Sequence, residues 1–192
     1  MYNKVKNNRF SFFLAIITLI TMSFQFLLLS IESNQLAVKI IGNNPYLQII
    51  GTTNNMLMFV YPICIAIFLL ITIKLMLDIF DITSIKTTEI FTIIGLSCIV
   101  PTMGMFFYTM SFIFFLNDQQ INADTINQIQ FKTGLSIKDY QTINNLCWLI
   151  MFYLMTMLFY IKFKVSIVKS VCTCVLPTGL FLAFGYLIKT LI

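Results

Sequence analysis

The chain has 192 residues, of which 59% are hydrophobic and only 10% are charged, and its formal net charge is +5. Soluble domains carry about 25% charged residues, so this composition leaves too little polar surface for a soluble fold. It predicts one integral membrane domain, residues 1–192, with an all-α fold. The basic excess follows from placing Lys and Arg around membrane spans, so it does not require nucleic acid as a partner.

The available side-chain chemistry argues against an enzyme. The sequence contains no histidine, which removes Ser-His and Cys-His nucleophile pairs and most zinc sites. A phosphate-binding glycine loop and a dinucleotide-binding fingerprint are also missing from the sequence. The five cysteines lie in apolar runs, where a thiol behaves as a small hydrophobe. We therefore expect no catalytic residue, no metal site and no cofactor.

Apolar runs divide the chain into five predicted membrane spans, because a hydrocarbon core of about 30 Å needs about 20 helical residues. In chain order, these spans are residues 10–31, 56–77, 90–116, 146–163 and 170–188. External loops containing short helices are expected at 32–55 and 117–145. Ser136 and Asp139 match a capping box, which predicts a helix that runs without a break into the fourth span.

Two polar or unusual residues stand out in the first two spans. Gln25 lies in the charge-free first span and is costly against lipid, so its helix face is predicted to pack against other spans. Pro62 lies near the predicted start of the second span. A proline is tolerated there because its missing N–H would have no partner in a first turn.

The third and fifth spans contain prolines and small residues. Pro101 lies inside the third span and predicts a kink, since proline removes a backbone hydrogen bond. Pro177 predicts a bend in the fifth span. Such a kink serves either helix packing or gating, and packing is the favoured interpretation. Stripes of small residues predict close helix crossings: Gly95, Cys98 and Thr102 in the third span, and Ser170, Cys174 and Thr178 in the fifth.

A cluster of charges separates the second span from the third. We call this cluster the charged hinge; its members are Lys74, Asp78, Asp81, Lys86 and Glu89. Its position between two apolar runs predicts a polar link at the membrane surface. Asp78 follows Lys74 by four residues, which favours an ion pair on one helix face. The other hypothesis is functional: Asp78, Asp81, Lys86 and Glu89 bind a partner.

The basic residues predict an orientation. Eight of the 12 lie in the N-terminal segment, the second-to-third link and the fourth-to-fifth turn, namely Lys4, Lys6, Arg9, Lys74, Lys86, Lys162, Lys164 and Lys169. Basic residues concentrate on the cytoplasmic side of membrane proteins. The N-terminus is therefore predicted to be cytoplasmic and the C-terminus external.

Several motifs resemble the Yip family, the Ypt/Rab-GTPase-interacting proteins and their bacterial relatives. The matching segments are Ser84-Ile-Lys86-Thr-Thr-Glu89, Ser97-Cys-Ile-Val-Pro101, Trp148, Lys164-Val-Ser166-Ile-Val-Lys169 and Pro177. The resemblance implies five spans with a cytoplasmic N-terminus. Eukaryotic members have a long cytoplasmic N-terminal region, whereas nine residues precede the first predicted span here. A bacterial-type relative in the cytoplasmic membrane is therefore expected.

These observations favour a non-enzymatic scaffold or accessory subunit that works through helix packing and the charged hinge. Expected partners are the lipid bilayer, other membrane subunits or further copies of the chain, and a soluble partner such as an ATPase at the hinge. A permease or channel subunit for a small solute is the alternative. An immunity or toxin-resistance protein is a third hypothesis, based on size and topology alone.

Overall fold

The computed structural model describes residues 2–42, 44–82, 84–115, 134–177 and 179. No strand occurs among these residues, and the predicted all-α fold is confirmed. The helices are α1 (Tyr2–Ile41), α2 (Pro45–Ile79), α3 (Thr87–Ser97), α4 (Ile99–Phe115), α5 (Ile137–Phe163) and α6 (Ile167–Pro177).

Four helical stretches of the described chain are long and apolar enough to cross a membrane: Arg9–Val38, Pro45–Ile79, Thr87–Phe114 and Ile137–Phe163. They are compatible with a multi-pass membrane protein, and their outer faces expose large apolar side chains such as Phe13 and Leu149. In the most apolar part of Thr87–Phe114, 61% of the segment is buried, whereas the corresponding parts of the other three stretches are 22–33% buried. The predicted fifth span, 170–188, lies mostly outside the described residues, so the count of five stays a prediction.

The described residues form two compact units. The first unit combines parts of Met1–Thr18, Cys64–Ile99 and Ile150–Ile192. The second unit combines parts of Leu19–Ile63 and Val100–Leu149. Helices α1, α2 and α5 each contribute one segment to each unit, and the contacts below all lie within one unit.

The prediction of an external loop at 32–55 is wrong in its secondary structure. Helix α1 continues to Ile41, and Gly42 ends it with a φ of 93° and an N–H that donates to the Val38 carbonyl at 3.0 Å. The Asn44 side chain then accepts the Tyr46 N–H at 3.0 Å, and Pro45 occupies the first position of α2. A glycine stop followed by an Asn cap and a first-turn proline reverses the chain within a few residues.

Pro62 therefore lies inside α2 and not in its first turn. The first-turn explanation for its tolerance is wrong, because α2 begins at Pro45. A proline at this position leaves the Met58 carbonyl, four residues earlier, without its helical N–H partner. The helix nevertheless continues through Pro62 to Ile79.

The third span is broken where Pro101 predicts a kink. Helix α3 ends at Ser97, α4 begins at Ile99, and Cys98 lies between them. Pro101 cannot donate to the Ser97 carbonyl, which frees that group and interrupts the helical hydrogen-bond ladder. Pro101 itself is buried.

Helix α5 begins at the predicted capping box. The Ser136 N–H and hydroxyl donate to the Asp139 carboxylate at 2.8 and 2.7 Å, and the Asp139 N–H donates to Ser136 Oγ at 3.2 Å. The helix then runs unbroken to Phe163, as predicted. The helix expected earlier in the 117–145 loop lies outside the described residues.

Candidate functional site

The charged hinge begins with a turn that ends α2. The Ile82 N–H donates to the Leu77 carbonyl at 2.9 Å, and the Asp81 N–H donates to the Asp78 carbonyl at 3.1 Å. This hydrogen-bond pair is a Schellman motif, which requires a left-handed residue and usually has glycine there. Asp81 fills the position with a φ of 58°. The hinge therefore keeps an exposed carboxylate where the backbone favours glycine.

Glu89 connects the hinge to both α3 and α5. Its carboxylate accepts the backbone N–H of Lys86, the residue that precedes α3, at 3.4 Å. Its other oxygen lies 3.9 Å from the Lys162 ammonium on α5. A carboxylate in the first turn also interacts favourably with the helix dipole. Glu89 therefore stabilises the hinge, in addition to any role at its surface.

Asp78 forms the ion pair expected from its spacing. Its carboxylate lies 3.3 Å from the Lys74 ammonium, and the two side chains are 54% and 33% exposed. Exposed pairs of this kind contribute little to stability, about 0–1 kcal/mol. The pair therefore leaves both charges accessible to a partner.

The turn between α5 and α6 lies in the same unit as the hinge. Lys164 forms this turn with a φ of 54°, and the Ser166 side chain accepts the Lys169 N–H at 3.4 Å. The Lys169 ammonium lies 5.6 Å from the centre of the Phe80 ring at the end of α2. The hinge and this turn together form a surface rich in exposed charges.

The predicted close crossing at Gly95 is present. A Cβ atom built on Gly95 would lie 2.4 Å from the Ala15 Cβ and 2.8 Å from its Cα, so only glycine permits this approach of α1 and α3. Cys98 is buried with its sulfur 4.0 Å from that of Met151 on α5. Thr102 is buried as well.

The predicted stripe in the fifth span is only partly described. Ser170 and Cys174 are fully buried in α6, and Cys174 lies beside Thr156 of α5. Pro177 is buried at the last position of α6, whereas Thr178 lies outside the described residues. The bend predicted at Pro177 therefore stays a prediction.

Gln25 is buried in the second unit, as its predicted packing role requires. Its Oε1 atom has no hydrogen-bond partner among the described residues. The same unit contains other buried polar atoms without a described partner: Ser23 Oγ, Thr109 Oγ1 and Asn144 Oδ1. These atoms lie on α1, α4 and α5.

Sequence reasoning missed a hydrogen-bond network between α1 and α2. Asn34 Nδ2 donates to the Gly51 carbonyl at 3.1 Å and to Asn55 Oδ1 at 2.8 Å. The Ser30 hydroxyl donates to the same Asn55 oxygen at 2.7 Å and accepts from Asn54 Nδ2 at 2.9 Å. Ser30 and Asn34, four residues apart on α1, and the adjacent Asn54 and Asn55 on α2 would have signalled this network.

Two further contacts in the second unit were also missed. A Cβ on Gly104 would lie 2.7 Å from Cys147 Sγ, so α4 and α5 approach closely there. The Ser111 hydroxyl donates to the Tyr140 hydroxyl oxygen at 2.6 Å, inside an apolar cluster that contains Tyr108. The Tyr108 and Tyr140 rings stack with centroids 5.4 Å apart.

Comparisons with protein-family models, with curated proteins and with solved structures found no match to this chain.

Proposed function

We propose that this is a non-enzymatic, multi-pass membrane protein that serves as a scaffold or accessory subunit of a membrane assembly. The observation that supports the proposal best is the charged hinge. It presents exposed charges of both signs between α2, which exposes apolar side chains such as Ile71 and Leu75, and the largely buried α3. Because basic residues mark the cytoplasmic side, the hinge is where a soluble partner would meet the embedded helices.

The hinge residues divide into two groups by their contacts. Glu89 has structural contacts with Lys86 and Lys162, so its charge is partly committed to the fold. Asp78, Asp81 and Lys86 are exposed. These three side chains are the residues that we propose contact the partner directly.

The proposal is tested by purifying the full chain in a mild detergent and identifying co-purifying proteins by mass spectrometry. A stoichiometric partner is expected with the wild type. The triple variant Asp78→Lys, Asp81→Lys, Lys86→Glu is expected to lose it, while Glu89 keeps its structural contacts. The control Glu32→Lys, Lys138→Glu reverses two charges in the second unit and should keep the partner.

A second variant separates recognition from local stability. The double variant Lys74→Asp, Asp78→Lys exchanges the two charges on α2. The ion pair is preserved, but each position now carries the opposite charge. Loss of the partner from this otherwise stable variant would support recognition by the hinge. Full retention of the partner in both hinge variants would refute the docking role.

We also propose, from the motif resemblance, that the protein is a bacterial-type relative of the Yip family in the cytoplasmic membrane. Fractionation of cytoplasmic and outer membranes tests the location. Recovery of the protein in the outer-membrane fraction would contradict it.

A permease or channel subunit is the second candidate. The second unit contains buried polar atoms without described partners, on Gln25, Ser23, Thr109 and Asn144. Such atoms in a membrane bundle favour a hydrated path or a polar solute. Liposomes that contain only this protein test the candidate by solute flux. Flux that falls on Gln25→Leu substitution would support transport, and an impermeable liposome would refute it.

A further inference from the structure

The turn between α5 and α6 carries two lysines that have no acidic partner in the part of the chain that the structure describes. Among the described residues, Asp78 and Glu89 pair with Lys74 and Lys162, and no carboxylate forms an ion pair with Lys164 or Lys169. Both lysine side chains are exposed. The turn is therefore a local excess of positive charge in the first unit.

The same turn is bordered by exposed apolar side chains. Ile161, just before it, is 67% exposed, and Val168, in the first turn of α6, is 68% exposed. The Lys169 ammonium rests against the Phe80 ring at 5.6 Å. Ammonium groups and apolar surface thus alternate along a few residues, which is the pattern expected where a helix end meets lipid headgroups.

The backbone adds donors to this surface. Ser166 precedes α6, and its side chain satisfies the Lys169 N–H at 3.4 Å. The N–H groups of Ile167 and Val168 have no acceptor within their own helix, as in the first turn of any α-helix. Lys164 has a left-handed backbone conformation at the point where the chain turns back towards α6.

We propose that this turn binds the phosphodiester headgroup of an anionic phospholipid. Lys164 and Lys169 supply the charge, the first turn of α6 supplies N–H donors, and Ile161, Val168 and Phe80 border the acyl chains. A soluble acidic protein matches the charge but not the exposed apolar border. The proposal rests on the membrane location proposed above, but not on the docking role of the hinge.

Native mass spectrometry of the detergent-purified full chain tests the site, with phosphatidylglycerol and phosphatidylcholine of identical acyl chains as probes. The wild type is expected to retain phosphatidylglycerol preferentially. Each lysine near a membrane surface contributes about fivefold to the binding of anionic lipid. The variant Lys164→Gln, Lys169→Gln should therefore bind phosphatidylglycerol about 25-fold more weakly, with phosphatidylcholine binding unchanged.

The matched control Lys39→Gln, Lys138→Gln removes the same charge elsewhere and should keep the wild-type preference. The proposal is overturned if the wild type retains both lipids equally. It is also overturned if the control loses its preference for phosphatidylglycerol as much as the Lys164→Gln, Lys169→Gln variant does. Displacement of the lipid by an equal concentration of glycerol phosphate would show a site for free phosphate instead. Loss of a bound acidic protein from the lysine variant, with no lipid preference, would show protein docking and overturn the proposal.

The hinge and the lipid site fail independently in these experiments. A wild-type chain that prefers phosphatidylglycerol but purifies without a partner would refute the accessory-subunit proposal and support the lipid site. A chain that is extracted from membranes by alkaline carbonate would refute the membrane location on which the lipid site depends.

Discussion

Asp81 and Lys164 hold backbone conformations that L side chains rarely adopt, with φ values of 58° and 54°. A left-handed residue with a Cβ costs about 1–2 kcal/mol relative to glycine. At Asp81 the surrounding Schellman hydrogen bonds fix that conformation, so the cost cannot be relieved by relaxation. A residue that stores strain at an exposed surface is a candidate for a functional role.

Replacing Asp81 by glycine should therefore stabilise the protein by about 1 kcal/mol, because the strain at the α2 terminus is removed. Unfolding of the purified protein in an SDS titration, followed by far-ultraviolet circular dichroism, measures the change. If the hinge binds a partner through Asp81, the same variant should bind it less tightly.

Ser84→Gly is the control for this substitution. Ser84 lies in the same link but without a positive φ, so glycine there only adds freedom to the unfolded chain and should destabilise by about 0.4–1 kcal/mol. An Asp81→Gly variant that loses stability like Ser84→Gly would show that the left-handed turn is not strained.

Gly95 and Gly104 both lie at close helix crossings, but different atoms face them. An added Cβ at Gly95 would meet the Ala15 backbone at 2.8–2.9 Å, whereas at Gly104 it would meet the Cys147 side chain. A sulfur atom can move by a small χ1 rotation, but a helix backbone cannot move without repacking. The two glycines are thus not equivalent.

We expect Gly95→Ala to destabilise the protein by about 1–3 kcal/mol, the usual cost of overpacking a tight contact. Gly104→Ala should cost clearly less in the same SDS titration. Combining Gly95→Ala with Ala15→Gly should recover only part of the loss, because the Ala15 backbone atoms remain close. Equal losses for the two glycine variants would contradict this ranking.

At the level of elements, local signals in the sequence predicted helix ends and breaks well. Ser136 and Asp139 correctly predicted the start of α5, and Pro101 correctly predicted the break between α3 and α4. Both predictions depend on groups within four residues of each other. The end of α1 and the start of α2 are marked by an equally local signal, namely Gly42, Asn44 and Pro45. The prediction missed this signal because the polar composition of 32–55 favoured a loop.

Contacts between helices could not be predicted in this way. The partnership of Asn34 with Asn55, or of Gly95 with Ala15, depends on which faces of two helices meet and at what register. Pro62 shows the same limit, because its effect depends on a helix boundary that lies far away at Pro45. The sequence alone predicted the charged hinge, but it did not predict that Glu89 lies next to Lys162 of α5.

The network between α1 and α2 provides a prediction at this scale. Asn34→Ala removes two hydrogen bonds, to Gly51 and Asn55, and should destabilise the protein by about 1 kcal/mol, since interhelical hydrogen bonds in membranes average about 0.6 kcal/mol each. Thr53→Ala removes only a bond to the Ile49 carbonyl of its own helix. An equal effect of the two variants on SDS unfolding would argue against a stabilising network.

For the whole molecule, if the long apolar helices cross a membrane as proposed, their alternation gives each turn a side of that membrane. If the hinge is cytoplasmic, α2 and α3 lead away from it, and the α1–α2 turn and the start of α5 lie on the external side. The α5–α6 turn then returns to the cytoplasmic side, which places Lys164 and Lys169 together with the hinge lysines. This orientation is the one that the distribution of basic residues predicts.

Labelling with a membrane-impermeant maleimide tests that orientation. Tyr46→Cys and Leu135→Cys, both exposed, should react in intact spheroplasts, whereas Ser84→Cys should react only in inverted vesicles. The unsubstituted protein, with its five native cysteines, is labelled in parallel to measure the background. The reverse pattern would place the hinge outside the cell, where a cytoplasmic ATPase could not reach it. The labelling therefore decides whether the hinge can serve a cytoplasmic partner, whereas the lipid site at the α5–α6 turn is decided by the lipid-binding experiment alone.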